Sequence, residues 1–432
     1  MTTTTLRGRA LTFHRAPERP DDERAWSYWN DAGIAIEDGR ITAIGEFSEV
    51  SKSYPGDVID YRPHLIMPGF IDPHLHFVQM QVVGSYAANL LEWLNTYTFI
   101  EEQKFASSEH GRRIASAFFD TLIRHGTTTA VAYCSVHPAS VDAFFSEAAK
   151  RDMLMIGGKC MMDRNCPPEL RDTPQTGYDD SVALVEKWHG KGRAHYAITP
   201  RFAITSTPAQ LDMVGQLRRE YPHLHLQTHL SENAAEIEYT AELFPDEPDY
   251  LGVYERYGLV GEKCLFGHAI HLTDREVAVM AETGSVAVSC PTSNLFLGSG
   301  LFDHDRLAGA GVPIAVATDI GGGTSYSMLQ TLDEMYKVLQ LRGQRFHPLL
   351  AFYRVTLGNA LALGLADRVG TLEPGSDADL VVLNASATPE MAIRMETVET
   401  LPGELFLLQT RGDDRAIVQT YVAGRALKKP LE

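Results

Sequence analysis

Eight short apolar segments recur between Pro68 and Asp319, most of them followed by a stretch of helix length. They are the run ending at His76, Thr127–Tyr133, Met153–Gly158, Tyr196–Thr199, Leu224–His229, Cys264–His268, Ser285–Ser289 and Pro313–Thr318. Segments this short and apolar read as buried strands. A chain that alternates strand and helix eight times predicts a closed parallel (β/α)8 barrel. The intervening helices carry their own boundary signals. Glu109 to His125 stops at Gly126, Thr207-Pro208 opens the next as cap and first-turn proline, and Thr273-Asp274-Arg275-Glu276 is a capping box.

The two ends of the chain read differently. Gly33 to Glu46 alternates apolar and polar residues around Asp38-Gly39, a strong hairpin signal. Ala378–Leu383 and Ile417–Leu427 carry the same strand-and-turn chemistry. Termini of one domain often lie close together. Residues 1–67 and 368–432 are therefore expected to form one small β-sandwich domain, with the barrel at 68–367 inserted between them.

With 432 residues, 44% of them hydrophobic, the chain has ample length for a large core. Its net charge of −18, with no basic stripe, argues against nucleic acid as a partner and favours a small-molecule substrate. Five cysteines with no Cys-x-x-Cys pair indicate neither a disulfide framework nor a thiolate zinc knuckle, so a reducing cytoplasmic setting is expected. No apolar run suits a signal peptide or a membrane span.

Barrel active sites gather where strands end and loops begin. The polar residues at those ends are His74 and His76, Arg201, His229, His268 and Asp319, with Glu232 three residues after His229. His74 and His76, two apart on a strand, project to one side and can share a metal. Alone, a His-x-His pair in a chain with 16 histidines is weak, Glu232 reads as a surface charge, and Asp319 reads as a helix cap before Gly321-Gly322-Gly323. Together, three histidines and a carboxylate are the nitrogen and oxygen donors of a catalytic Zn²⁺ or Fe²⁺ site with an open position for water.

Pro68-Gly-Phe-Ile-Asp-Pro-His74-Leu-His76, Gln227-Thr-His229-Leu-Ser-Glu232, Phe266-Gly-His268, Ser289-Cys-Pro-Thr-Ser-Asn294 and Ala317-Thr-Asp319 resemble the motifs of the amidohydrolase superfamily, in its deaminase branch. More narrowly, Leu90-Leu-Glu-Trp93, Lys159-Cys-Met-Met-Asp163, Thr199-Pro-Arg201-Phe202 and Asp319-Ile-Gly-Gly-Gly-Thr-Ser-Tyr-Ser-Met328 resemble the guanine deaminase family. That resemblance implies a distorted TIM barrel, a homodimer, and zinc-dependent conversion of guanine to xanthine and ammonia in purine catabolism. It implies one zinc on His74, His76, His229 and Asp319, because the fourth strand ends in Thr199-Pro200-Arg201 and not in the lysine of two-metal members. His268 is implied beside the bound water, with His271 the competing choice. Asp319 would take the water's proton, and Glu232 would protonate a ring nitrogen and serve the leaving amine. His76, Gln79, Arg201, Phe202 and Glu232 are the expected substrate-facing residues. Iron remains an alternative to zinc.

Some of these residues have plainer readings. Arg201 suits an ion pair at the barrel rim as well as the purine O6. Phe202 and Trp93 suit packing, which is the preferred reading for Trp93, and Lys159 suits a structural contact. The triple glycine is more flexible than the site requires. The stretch Phe77 to Ser108 is long for a barrel connection and is expected to shape or cover the pocket. Competing functions are turnover of another aminated heterocycle, such as 8-oxoguanine, a pterin or a triazine, and a non-catalytic binding homologue, which predicts eroded ligands. None is eroded.

Overall fold

The computed structural model describes residues 3–86 and 90–430; Met1, Thr2, Leu431 and Glu432, at the ends of the expected β unit, and 87–89, in the long connection, lie outside the described residues. The chain opens with four strands, β1 (Thr4–Phe13), β2 (Trp26–Glu37), β3 (Arg40–Glu46) and β4 (Asp57–Pro68). Asp38 and Gly39 both take the left-handed conformation (φ 48° and 78°), so the hairpin closes with Glu37 opposite Arg40.

Eight further strands then lie in chain order in one parallel sheet. They are β5 (Phe70–His76), β6 (Thr127–Cys134), β7 (Leu154–Met161), β8 (Ala194–Pro200), β9 (His225–Leu230), β10 (Cys264–His268), β11 (Val286–Ser289) and β12 (Ile314–Val316). All eight predicted segments are strands, with ends moved by a few residues. The predicted helix boundaries also hold. Ser108–Arg124 ends before Gly126 (φ 84°), Thr207 caps the helix that Pro208 starts, and Thr273 with Glu276 forms a reciprocal box.

Among the described residues no strand ladder joins β12 to β5, and side chains help complete the barrel there. The Asp72 carboxylate accepts from the Thr318 backbone N–H (3.1 Å) and from the Thr318 hydroxyl (2.5 Å). The Asn359 amide donates to Ile71 O (2.7 Å) and Val316 O (2.8 Å) and accepts from Val316 N–H (3.0 Å). Above them Asp319 N–H donates to His74 O at 2.9 Å, and His76 N–H donates to Ile320 O. Burial pushes the Asp72 carboxyl up to about 7 even against these donors.

The last strands, β13 (Leu380–Leu383), β14 (Ile417–Val422) and β15 (Arg425–Ala426), return to the N-terminal unit in the sheet order β15-β14-β13-β4-β1-β2-β3. Both chain ends therefore build one mixed sheet. One face packs Leu6, Ile34, Ile66 and Leu380 together. The other lays Leu11, Phe13, Met67 and Val381 against Leu329, Leu332, Leu405 and Leu408 of the helices Met328–Leu341 and Leu401–Arg411. The helices Pro389–Met395 and Leu401–Arg411 were not expected in a region read as strands and turns.

Only Gly69 separates β4 of this sheet from β5 of the barrel, and a Cβ there would lie 2.3 Å from Thr128 Oγ1. A second tie is electrostatic. Arg193, entering β8, donates to both oxygens of Asp379 (2.6 and 3.1 Å) and to Asp377 (3.0 Å), all buried. Breaking a buried pair leaves an uncompensated charge, so Arg193→Ala is predicted to cost about 3–5 kcal/mol. Urea denaturation measures that loss.

Candidate metal centre and active-site cleft

His74 and His76 leave the end of β5 on one side of the strand, both buried. Gly267 of β10 makes room for the first, since a Cβ there would meet the His74 ring at 2.5 Å. His229 arrives from β9, His268 from the end of β10, and Asp319 from the turn after β12. His268 and Asp319 both adopt left-handed backbone (φ 70° and 51°), an unfavourable conformation of the kind that gathers at functional sites and turns the chain sharply at the barrel mouth.

The donor atoms converge. His76 Nε2 lies 3.2 Å from His229 Nε2, and Asp319 Oδ1 lies 3.3 Å from His74 Nε2 and 3.5 Å from His76 Nε2. Nitrogen and oxygen donors about 2.0–2.1 Å from a tetrahedral zinc stand roughly 3.3–3.4 Å apart, so the spacing suits a cation among them. The His229 Nδ1–H donates to Arg201 O at 2.7 Å, which leaves Nε2 with a free lone pair. His74 Nδ1 is buried without a hydrogen-bond partner, and Nε2 faces Asp319 Oδ1. Burial holds His74, His76 and His229 below the ordinary imidazole range, in the neutral form a metal requires. Burial would push the Asp319 carboxyl up, but the facing histidines, first by a hydrogen bond from His74, outweigh it and hold it below the ordinary carboxylate range.

Cys290 is a ligand candidate that sequence reasoning missed, grouped with His74, His268 and Asp319. Burial raises its thiol well above the usual range, and its Sγ–H lies 3.6 Å from Val288 O. The Cys290 group leaves out His76 and His229, whereas the 3.2–3.5 Å spacings join His74, His76, His229 and Asp319, and on that geometry these four are the better set.

Beside the ligands, His268 donates Nδ1–H to Asn294 Oδ1 (2.8 Å), which leaves Nε2 3.4 Å from Glu232 Oε2 and 3.8 Å from Asp319 Oδ2. Burial disfavours the charged imidazole, but Glu232 and Asp319 outweigh it and raise His268. Burial raises Glu232 too, and the Ser299 hydroxyl donates to its Oε1 at 2.8 Å. Below it, Glu236 accepts from the Glu232 backbone N–H at 2.8 Å. His271 lies elsewhere, its Nε2 donating to Ser299 O, so the competing choice falls away.

These groups open into a cleft lined also by Gln79, Arg201, Phe202, Trp93 and Leu297. Arg201 is ion-paired, though not at a rim: both it and its partner Glu102 are buried, Nη1 to Oε2 at 2.7 Å. Gln79 donates Nε2–H to Glu102 Oε1 (2.8 Å) and accepts from Gly321 N–H (3.2 Å), so half of its amide capacity is already used. Trp93 both lines the cleft and packs in a cluster with Leu94, Phe99 and Phe202. Lys159 is buried on Asp172 at 2.5 Å, a structural contact.

The triple glycine is tighter than expected. A Cβ on Gly321 would meet Gln79 at 2.8 Å, on Gly322 Ser293 Oγ at 2.6 Å, and on Gly323 it would overlap Thr318 O at 1.8 Å. Close approach, not flexibility, requires these residues. Glu102 and Ser299 were invisible in the sequence: the first reads as one of two surface acids, the second as a loop serine.

Chelation is predicted to lower the melting temperature and one equivalent of zinc to restore it, a bound ligand at 100 times its Kd adding about 2.7 kcal/mol. His229→Ala should reduce bound metal below one per chain by elemental analysis.

Residues 65–427 match the amidohydrolase family. The chain is 45% identical to the guanine deaminase of Escherichia coli (strain K12) over 97% of its own length and 96% of the relative's. It superposes on the structure of the E. coli guanine deaminase with a TM-score of 0.96, covering 98% of this chain and 99% of that one. A guanine deaminase from C. acetobutylicum, solved with guanine bound in the active site, superposes with a TM-score of 0.88 at 29% identity, covering 98% of this chain and 100% of that one. The chain belongs to the amidohydrolase family, and within it to the guanine deaminases.

Proposed function

We propose that this chain is a zinc-dependent guanine deaminase, which hydrolyses guanine to xanthine and ammonia with one metal per subunit. The observation that carries the reading is a cleft lined together by His76 and His229, the Glu232–His268–Asp319 group and the Arg201–Gln79 pair. We read 68–367 as the catalytic unit.

His74, His76, His229 and Asp319 are the residues that hold the ion. When bound, a zinc ion supplies the lowered water pKa, from about 15.7 toward 7, that hydrolysis at neutral pH needs. The chain's own groups do the rest. Asp319 would take the water's proton on its second oxygen, and His268, whose Nε2 faces that oxygen at 3.8 Å, would hydrogen-bond the water. Glu232, raised by burial, can give a proton to the purine ring nitrogen as C2 becomes tetrahedral, and can then help pass a second proton, one of the water's, to the departing amine. Arg201 offers donors to O6, Gln79 keeps one N–H and one lone pair for the base edge, and Phe202 gives the ring an apolar face.

Five free, buried cysteines support a reducing compartment, and no helix among the described residues is long and apolar enough to cross a membrane. A homodimer is part of the same proposal, supported by the resemblance.

Ammonia release from guanine, run beside adenine, 8-oxoguanine, pterins and triazines on metal-loaded protein, tests the reading; inactivity on guanine alone would end it. Glu232→Gln is expected to keep its metal and lose about 10² to 10⁴ in turnover. Retained turnover would remove Glu232 from the acid–base role. Arg201→Ala is expected to impair guanine more than 2-aminopurine, which lacks O6; equal losses would make the arginine structural.

A further inference from the structure

Glu102 stands behind the cleft and does not line it. It lies on the short helix Phe99–Gln103, in the connection after β5, and is fully buried. Its two carboxylate oxygens are divided between two cleft residues, Oε2 accepting from Arg201 Nη1–H at 2.7 Å and Oε1 from Gln79 Nε2–H at 2.8 Å. The Glu102 carbonyl accepts from the Ser135 hydroxyl at 3.1 Å, which fastens the helix to the chain just beyond β6. The Arg201 guanidinium also sits 5.3 Å from the centre of the Phe99 ring, on the same helix.

Two consequences follow from the division of that carboxylate. An ionised carboxylate only accepts, so the Gln79 amide must turn its NH₂ toward Glu102, while Gly321 N–H requires its oxygen on the other side. The amide cannot flip, and the donor and acceptor it shows to the cleft are fixed. The second consequence is one of charge. Burial disfavours the Arg201 cation, and the Glu102 carboxylate outweighs that and holds the guanidinium above its ordinary range. The pair as a whole is neutral.

A neutral pair suits a neutral base. Replacing the amine of guanine by a carbonyl gives xanthine, whose ring N–H is more acidic, so an uncompensated arginine in the cleft would attract the product's anion more than the substrate. We propose that Glu102 is a positioning residue that sets selectivity for the neutral aminated base over its deaminated product, by holding Arg201 and Gln79 as a fixed, charge-compensated pair. This rests on the guanine reading given above.

The test compares Glu102→Gln and Glu102→Gln/Arg201→Gln with the wild-type metal-loaded enzyme, reading guanine KM and kcat and competitive inhibition by xanthine and by 2-aminopurine. Glu102→Gln should raise guanine KM and tighten xanthine inhibition, each by roughly tenfold, as expected when a charge-assisted pair is broken and its cation freed. Inhibition by 2-aminopurine should not tighten. The double variant removes both charges and decides the matter should the single variant fail to fold. Its ratio of xanthine inhibition constant to guanine KM should return toward the wild-type ratio and stay above that of any folded single variant. An unchanged ratio in a folded Glu102→Gln, or a ratio in the neutral double variant roughly tenfold or more below the wild-type one, overturns the role of Glu102. Absence of guanine turnover in the wild-type control would overturn the functional reading itself.

Discussion

The candidate site depends on the seam between the first and last barrel strands. Hydrogen-bonded strand pairing runs from β5 to β12 and then stops. Asp72 gripping Thr318, and Asn359 gripping Ile71 and Val316, do the work of the missing ladder. That closure matters because the proposed ligands sit on opposite sides of it: His74 and His76 follow Asp72, and Asp319 follows Thr318. With the edges clasped, the Asp319 carboxylate lies within 3.5 Å of both histidines. A seam open by a few ångströms would leave the imidazoles without their carboxylate, and a buried, half-completed donor set is costly to keep.

Around this clasp the chain builds in two shells. The ligands come from β5, β9 and the turn after β12, while the groups that orient them come from loops. Asn294 and Ser299 lie five positions apart on one short stretch and fix His268 and Glu232. Glu102 fixes Gln79 and Arg201 from the other side of the cleft. Each shell explains a different kind of selectivity. On the proposed reading, the strand ends set which ion the site holds, and the loop contacts set which base it reads.

Much of the barrel was legible because it rests on periodicity and punctuation. Eight apolar segments, the stop at Gly126, the Thr207-Pro208 start and the Thr273 box are local signals, and the core only had to agree with them. His74, His76, His229, His268 and Asp319 were legible for the same reason, since each ends a readable strand. The clasp residues were half visible: Asp72 stood in a quoted motif with no role, and Asn359 stood in none. Glu102 and Ser299 could not be read, because the partners that give them meaning lie 99 and 67 positions away. The helices after Pro389 were missed because short strands on either side set the expectation for the whole segment. The glycines at 321–323 were misjudged because a sequence shows the freedom of a glycine and not the neighbour that forbids a Cβ.

The account stands most directly on the position of the metal. Anomalous diffraction at the zinc absorption edge, from crystals of zinc-loaded protein, locates the ion without reference to activity. One peak per chain, among His74, His76 and His229 nitrogens and an Asp319 oxygen, is the predicted result. Two peaks, or one bound to Cys290 and His268 with His229 left out, would contradict it.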